Sequence, residues 1–188
     1  GEGRNLRAVW NELQRAGRRM PLPLCLYIGK ELCRGLHYAH TYGELELVHR
    51  DVTPPNVLLA YSGEVRLTDF GLAHSTFSMR RTAPGTLMGK LPYMSPEQAR
   101  GEPLDRRADI YAVGIILWEL ITGRRLFARS SQREQLQAVS RPSVDPPSIY
   151  KPDLPVALEG AVMRALAPER VDRHSSAEHL RCDLARVL

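Results

Sequence analysis

The chain has 188 residues, enough for one full hydrophobic core and too few for two ordinary domains. Hydrophobic residues make up 43% and charged residues 25%, a globular balance, and no run of 18 apolar residues offers a membrane span. The formal charge of +5 does not amount to a nucleic-acid surface: the arginines come in scattered pairs, such as Arg18–Arg19 and Arg124–Arg125, and the aromatics, at 6%, do not interleave with them.

The opening residues, Gly1 to Gln14, carry charges where a signal peptide needs an apolar stretch, so the expectation is a soluble, cytoplasmic chain, any membrane anchor lying outside it. A first helix is predicted from about Leu6 to Ala16, ending at Gly17. Pro21 and Pro23 open a longer one, whose apolar positions Leu24, Tyr27, Ile28, Leu32, Leu36 and Ala39 recur at three and four until Gly43. Cys25 and Cys33 fall on that helix. With Cys182 they form no C-x-x-C pair, and free cysteines of this kind are expected to pack as small hydrophobes in a reducing compartment. His37 and His40 stand three apart on the same helix, but no third ligand has useful spacing, and no metal site is expected there.

Short β-like runs follow at Leu45–Val48, Val57–Ala60 and Val65–Thr68, with Ser62-Gly63 as the turn between the last two. From Ser75 to Leu91 periodicity is lost among hydroxyls and glycines, which reads as a long functional loop. Ile110–Ile121 is apolar nearly all round, so a helix there belongs at the centre of the domain. A short helix is predicted at Gln132–Val139, then a proline-rich connection at Pro142–Pro155. Two closing helices are predicted near Val156–Ala167 and Ser175–Val187, the second opened by a Ser175/Glu178 capping box.

Three motifs punctuate this order. His49-Arg50-Asp51-Val52-Thr53-Pro54-Pro55-Asn56 fits H-R-D-x-x-x-x-N; Asp69-Phe70-Gly71 follows thirteen residues after Asn56; Ser95-Pro96-Glu97 stands where A-P-E is expected. Each tripeptide is cheap by chance, but all three in order, the first two flanked by strand-like runs, are specific. From about Leu6 onward the sequence resembles eukaryotic-type bacterial serine/threonine protein kinases, most closely at Tyr93–Gly101 and Asp109–Gly114. The resemblance implies a mainly α, protein-kinase-like C-lobe: a helical bundle with short β-hairpins carrying the catalytic loop and the DFG segment. It implies transfer of the ATP γ-phosphoryl group to protein Ser/Thr hydroxyls, with ATP, Mg²⁺ and protein substrates as partners.

By resemblance, Asp51 orients the substrate hydroxyl and accepts its proton, Asn56 and Asp69 hold Mg²⁺ on oxygen ligands, and Leu58 lies under the adenine. His49 and Phe70 are expected to stack in the interior, Gly71 to complete the DFG turn, Asp109 to cap the catalytic loop, and Glu97 to pair with Arg173, Arg170 being the competitor. Thr82 and Thr86 are the expected phosphorylation sites, opposite Arg50. No glycine-rich loop follows a strand, and none of the three lysines, 30, 90 and 151, suits the ATP-pairing role. The expectation is therefore the C-lobe alone over residues 1–188, the ATP-clamping N-lobe being absent. The family usually has lysine where Thr53 stands and threonine where Lys90 stands, and Lys90 is expected beside Asp51. The rival readings are a pseudokinase scaffold, without turnover, and a small-molecule phosphotransferase.

Overall fold

A computed structural model describes residues 2–43, 47–70 and 88–187. Strands β1 (Gly3–Asn5), β2 (Val57–Ala60) and β3 (Val65–Leu67) form an antiparallel sheet in that order, with Gly3 opposite Ala60 and Val57 opposite Leu67. The β2–β3 turn needs a left-handed residue, and Gly63 supplies φ +91°. β1 departs from the sequence reading, because Gly-Arg-Asn has no apolar alternation and pairs only because β2 presents an edge. Leu47 and Val48, expected in a strand, are in none, and Leu45 and Glu46 lie outside the described residues.

Helices α1 (Leu6–Arg15) and α2 (Leu22–His40) match their predicted spans closely. They are followed by α3 (Pro96–Ala99), α4 (Arg107–Thr122), α5 (Gln132–Ser140), α6 (Val156–Ala165) and α7 (Ala177–Ala185). α4 is buried from Ala108 to Thr122, as its apolar circumference requires. Each fully buried Ile or Leu in it contributes roughly 1.5–3 kcal/mol over an exposed one. α2 lies along α4 and α7, and a Cβ at Gly29 would stand 2.7 Å from Leu117 Cδ2 and 3.2 Å from Leu184 Cδ1, so glycine sets that close approach. Cys25 and Cys33 are buried in this core, and burial drives both thiols up, Cys25 to about 12, which keeps them protonated and inert.

The capping box does not form, because the N-cap lies one residue later and its N3 position is His179. Ser176, not Ser175, is the N-cap of α7: its hydroxyl accepts from the His179 amide at 3.2 Å, while Ser175 Oγ meets His179 Nδ1 at 2.7 Å. Glu178 pairs with Arg181 instead of reaching back to the cap. No helix among the described residues is long and apolar enough to cross a membrane.

Candidate active site

The site is assembled from the first turn of α4 outward. Asp109, 1% exposed, accepts from the His49 amide (2.8 Å) and the Arg50 amide (2.9 Å) and meets His40 Nε2 at 2.7 Å. A buried carboxylate is tolerable only with such partners, and bonds to a charged acceptor are the stronger kind. They fix residues 49–50 in space. Arg50 takes φ +68°, a left-handed conformation costing about 1–2 kcal/mol for a non-glycine residue. The Asp109 bond on its amide and a Gln98 side-chain donor on its carbonyl (2.9 Å) hold it there.

His49 ties this turn to the segment after β3. Its Nδ1 accepts from the Asp51 amide at 3.1 Å, so the proton sits on Nε2, which donates to the Thr68 carbonyl at 2.9 Å. The ring meets Phe70 edge-on, centroids 4.4 Å apart. Phe70 is nonetheless 37% exposed, which corrects the expectation of an interior stack: His49 is buried at 1% exposure and Phe70 is not. Asp69, between Thr68 and Phe70, is exposed and takes φ +60°. Arg50 and Asp69 are the non-glycine residues with positive φ among the described residues, and both adjoin this site.

Asn56 closes the 3₁₀ turn Pro54–Asn56 and joins the two halves. Its carbonyl accepts from the Thr68 amide (2.9 Å) and hydroxyl (3.1 Å); its side-chain amide donates to the Asp51 carbonyl (2.9 Å) and to Asp51 Oδ2 (3.0 Å). Lys90 Nζ stands 3.0 Å from the same Oδ2. Asp51 Oδ1 has no hydrogen-bond partner among the described residues. Asp51, Thr53 and Lys90 all line one cavity of ≈ 380 Å³, walled also by Met94, Gln98 and Leu104.

The donor set suits a hard divalent cation. Asn56 donates through its NH₂, leaving its amide oxygen, and the exposed Asp69 carboxylate has no cationic partner among the described residues. No group of three or more His, Cys, Asp or Glu gathers among those residues, so a cation here would lean on a ligand's oxygens and water, in the manner of Mg²⁺ with phosphates. Leu58 is half-buried in β2, between Val57 and Leu59, which pack on the core. Gly71, Thr82 and Thr86 lie outside the described residues.

Behind the site, Arg173 grips Glu97 through two bonds, 2.7 and 2.8 Å, with both side chains buried, and also donates to the carbonyls of Ala167, Pro168 and Arg107. Burial pushes the Glu97 carboxyl up, but the Arg173 bonds and charge outweigh it and hold the group below its usual range. Arg170 instead bonds the Pro103 carbonyl. Sequence reasoning missed three groups: His40 against Asp109, Gln98 against Arg50, and Tyr93, whose hydroxyl donates to buried Glu119 at 2.5 Å and meets Arg7. The legible hint was His40 itself, a polar residue on the buried face of α2 that needs an acceptor.

A carboxylate with one oxygen unpartnered among the described residues, held by a buried network beside further oxygen groups, is the arrangement that phosphoryl transfer would use. Residues 6–176 match the protein kinase domain, and the chain belongs to that family. It is 41% identical over 174 residues, 88% of the chain, to the tyrosine-protein kinase MasK of Myxococcus xanthus strain DK1622. It is 33% identical over 159 residues, 84% of the chain, to the serine/threonine-protein kinase PknB of Mycobacterium tuberculosis strain ATCC 25177 / H37Ra. The match covers 27% and 25% of those two proteins. The fold is similar to the crystal structure of the Mycobacterium tuberculosis PknI kinase domain, with TM-score 0.75 and 28% identity, over 100% of this chain and 63% of that one.

Proposed function

We propose that this chain is the large lobe of a bacterial protein kinase that moves the γ-phosphoryl group of ATP to serine or threonine hydroxyls of proteins. The observation that carries the reading is Asp51: Asn56 and Lys90 hold one carboxylate oxygen at 3.0 Å each and leave the other for a hydroxyl proton. Bound Mg-ATP supplies the phosphoryl group and the cationic charge that shields it. The chain's own residues orient the nucleophile, accept its proton on Asp51, and offer Asn56 and Asp69 to the cation. The 188 residues hold no glycine-rich strand loop and no strand lysine, so a complete site draws those elements from other polypeptide.

Serine/threonine specificity is supported by the PknB relative and opposed by the name of the MasK relative. The test is a Mg-ATP assay of the gene's full-length product with a generic protein substrate, followed by phosphoamino-acid analysis. Phosphoserine and phosphothreonine are expected. Phosphotyrosine alone would refute the specificity, and ATP binding without turnover would place the chain among scaffolds.

A further inference from the structure

The geometry points to Lys90 as a catalytic residue: its ammonium, delivered from the segment before Ser95, neutralises the phosphoryl group in transit, a task the catalytic loop itself cannot perform because Thr53 is uncharged. This rests on the phosphoryl-transfer reading above and names the cation of that same site. Four observations carry it. Lys90 Nζ lies 3.0 Å from Asp51 Oδ2, on the oxygen that Asn56 also holds, so the ammonium sits beside the proton acceptor without blocking its free oxygen. Thr53, two residues past Asp51 and only 5% exposed, lines the same cavity and brings no charge.

The anchoring of Lys90 is firm. Its neighbours Leu91 (1% exposed) and Met94 (4%) form a small apolar cluster of their own, and Tyr93 is tied to Glu119. The backbone is thus pinned while the side chain, 38% exposed, remains able to swing. An ion pair this open contributes at most about 1 kcal/mol to stability, so fold stability is a poor reason for it.

Charge balance gives it a better one. The site presents two carboxylates, Asp51 and Asp69, to a doubly negative phosphoryl group. A compact ammonium on a flexible stem can serve Asp51 in the resting state and the phosphoryl oxygens during transfer. The chain's other lysines do not compete: Lys30 is on α2, and Lys151 pairs with Asp153 at 3.1 Å.

Two measurements on the full-length gene product test this. The first needs no turnover: an ATP analogue carrying an acyl group on its γ-phosphate transfers that group to an amine lying at the γ-phosphate. The lysine nitrogen attacks the acyl carbon, the amide forms, and ATP and a proton leave. Peptide mass spectrometry should find Lys90 acylated and protected by excess ATP, with Lys30 and Lys151 unaffected by ATP.

The second is kinetic. Lys90→Met should lower kcat by about 10²- to 10³-fold, the scale for losing one preorganised electrostatic donor, with KM for ATP changed less than about threefold. The exchange Thr53→Lys with Lys90→Thr should recover most of that loss, which a merely structural lysine would not show. If the unaltered protein turns over but Lys90 is unlabelled, or Lys90→Met keeps near-normal kcat, the inference is overturned and the kinase reading stands. If ATP-protected labelling occurs in a protein without turnover, Lys90 lies at the γ-phosphate but serves no transfer, and its catalytic role falls together with the kinase reading. No labelling and no turnover overturn both.

Discussion

Removing Arg173 isolates how the fold is held together behind the candidate site. Arg173→Met deletes two charge-assisted bonds to Glu97 and the donors to Ala167 and Pro168, and strands a buried carboxylate. Losing one partner of a buried pair costs about 3–5 kcal/mol. Glu97→Leu should cost less, near 3 kcal/mol, because the guanidinium keeps three carbonyl acceptors and lies 4.8 Å from the Tyr111 ring centroid. The double variant removes both charges together, so its cost should fall short of the sum by about 2–3 kcal/mol. Urea unfolding of the 188-residue chain reads this out, since Trp10 and Trp118 both pack against the core. The Glu97 carboxyl is held below its ordinary 4.5, so the pair's stabilisation is present above that pH and is lost as pH falls through the folded value. The coupling should therefore be full at pH 7 and shrink only below the normal carboxylate range. A coupling under about 0.5 kcal/mol at pH 7 would show that the pair behaves like an exposed one, and the reasoning would be wrong.

Asp109→Asn keeps the shape but loses the charge that two backbone amides and His40 share. It should cost about 2–3 kcal/mol and speed hydrogen exchange at the His49 and Arg50 amides; unchanged exchange would refute the clamp. His174 is fully buried, and burial, helped by Arg164, holds its pKa below 6.5 despite a 3.1 Å contact with Asp183. A depressed folded pKa means stability is full above about 6.5 and declines as pH falls toward the folded value. Thermal melts should show that decline, and His174→Gln should flatten it. Mass spectrometry of the active full-length protein should find phosphate on Thr82 or Thr86, where an exposed Arg50 can pair with it; no phosphate between Ser75 and Lys90 would refute this.

The candidate site was more legible in the sequence than the contacts supporting it. Asp51, Asn56 and Asp69 are recognisable because they stand in the H-R-D-x-x-x-x-N and D-F-G patterns, with a 3₁₀ turn between the first two and the short strands β2 and β3 between the last two. Phosphoryl transfer admits few substitutes for a carboxylate base or for oxygen ligands. The central helix was legible for a different reason: an apolar circumference can be satisfied only by burial on every side. What escaped was set by long-range pairing. His40 meets Asp109 across 69 residues and Gln98 meets Arg50 across 48, and neither residue type announces its partner. The cap of α7 moved one residue because adjacent serines are chemically equal, and only backbone angles choose between them; Ser176, at φ −145° and ψ 158°, has the extended ones.

The strained residues show why the supporting contacts matter to function. Nothing in arginine favours φ +68° strongly enough to predict it at Arg50, and it persists there because neighbours over-determine it. At Arg50 those neighbours can be named: Asp109 on the amide and Gln98 on the carbonyl. One is on the central helix and the other on α3, beside the buried Glu97–Arg173 pair. The direction in which Asp51 leaves the Arg50 turn is thus set by the same packed core that gives the fold its stability. A substitution at Glu97 or Asp109, touching no substrate, should therefore disturb turnover and stability together, whereas one at Lys90 should disturb turnover alone.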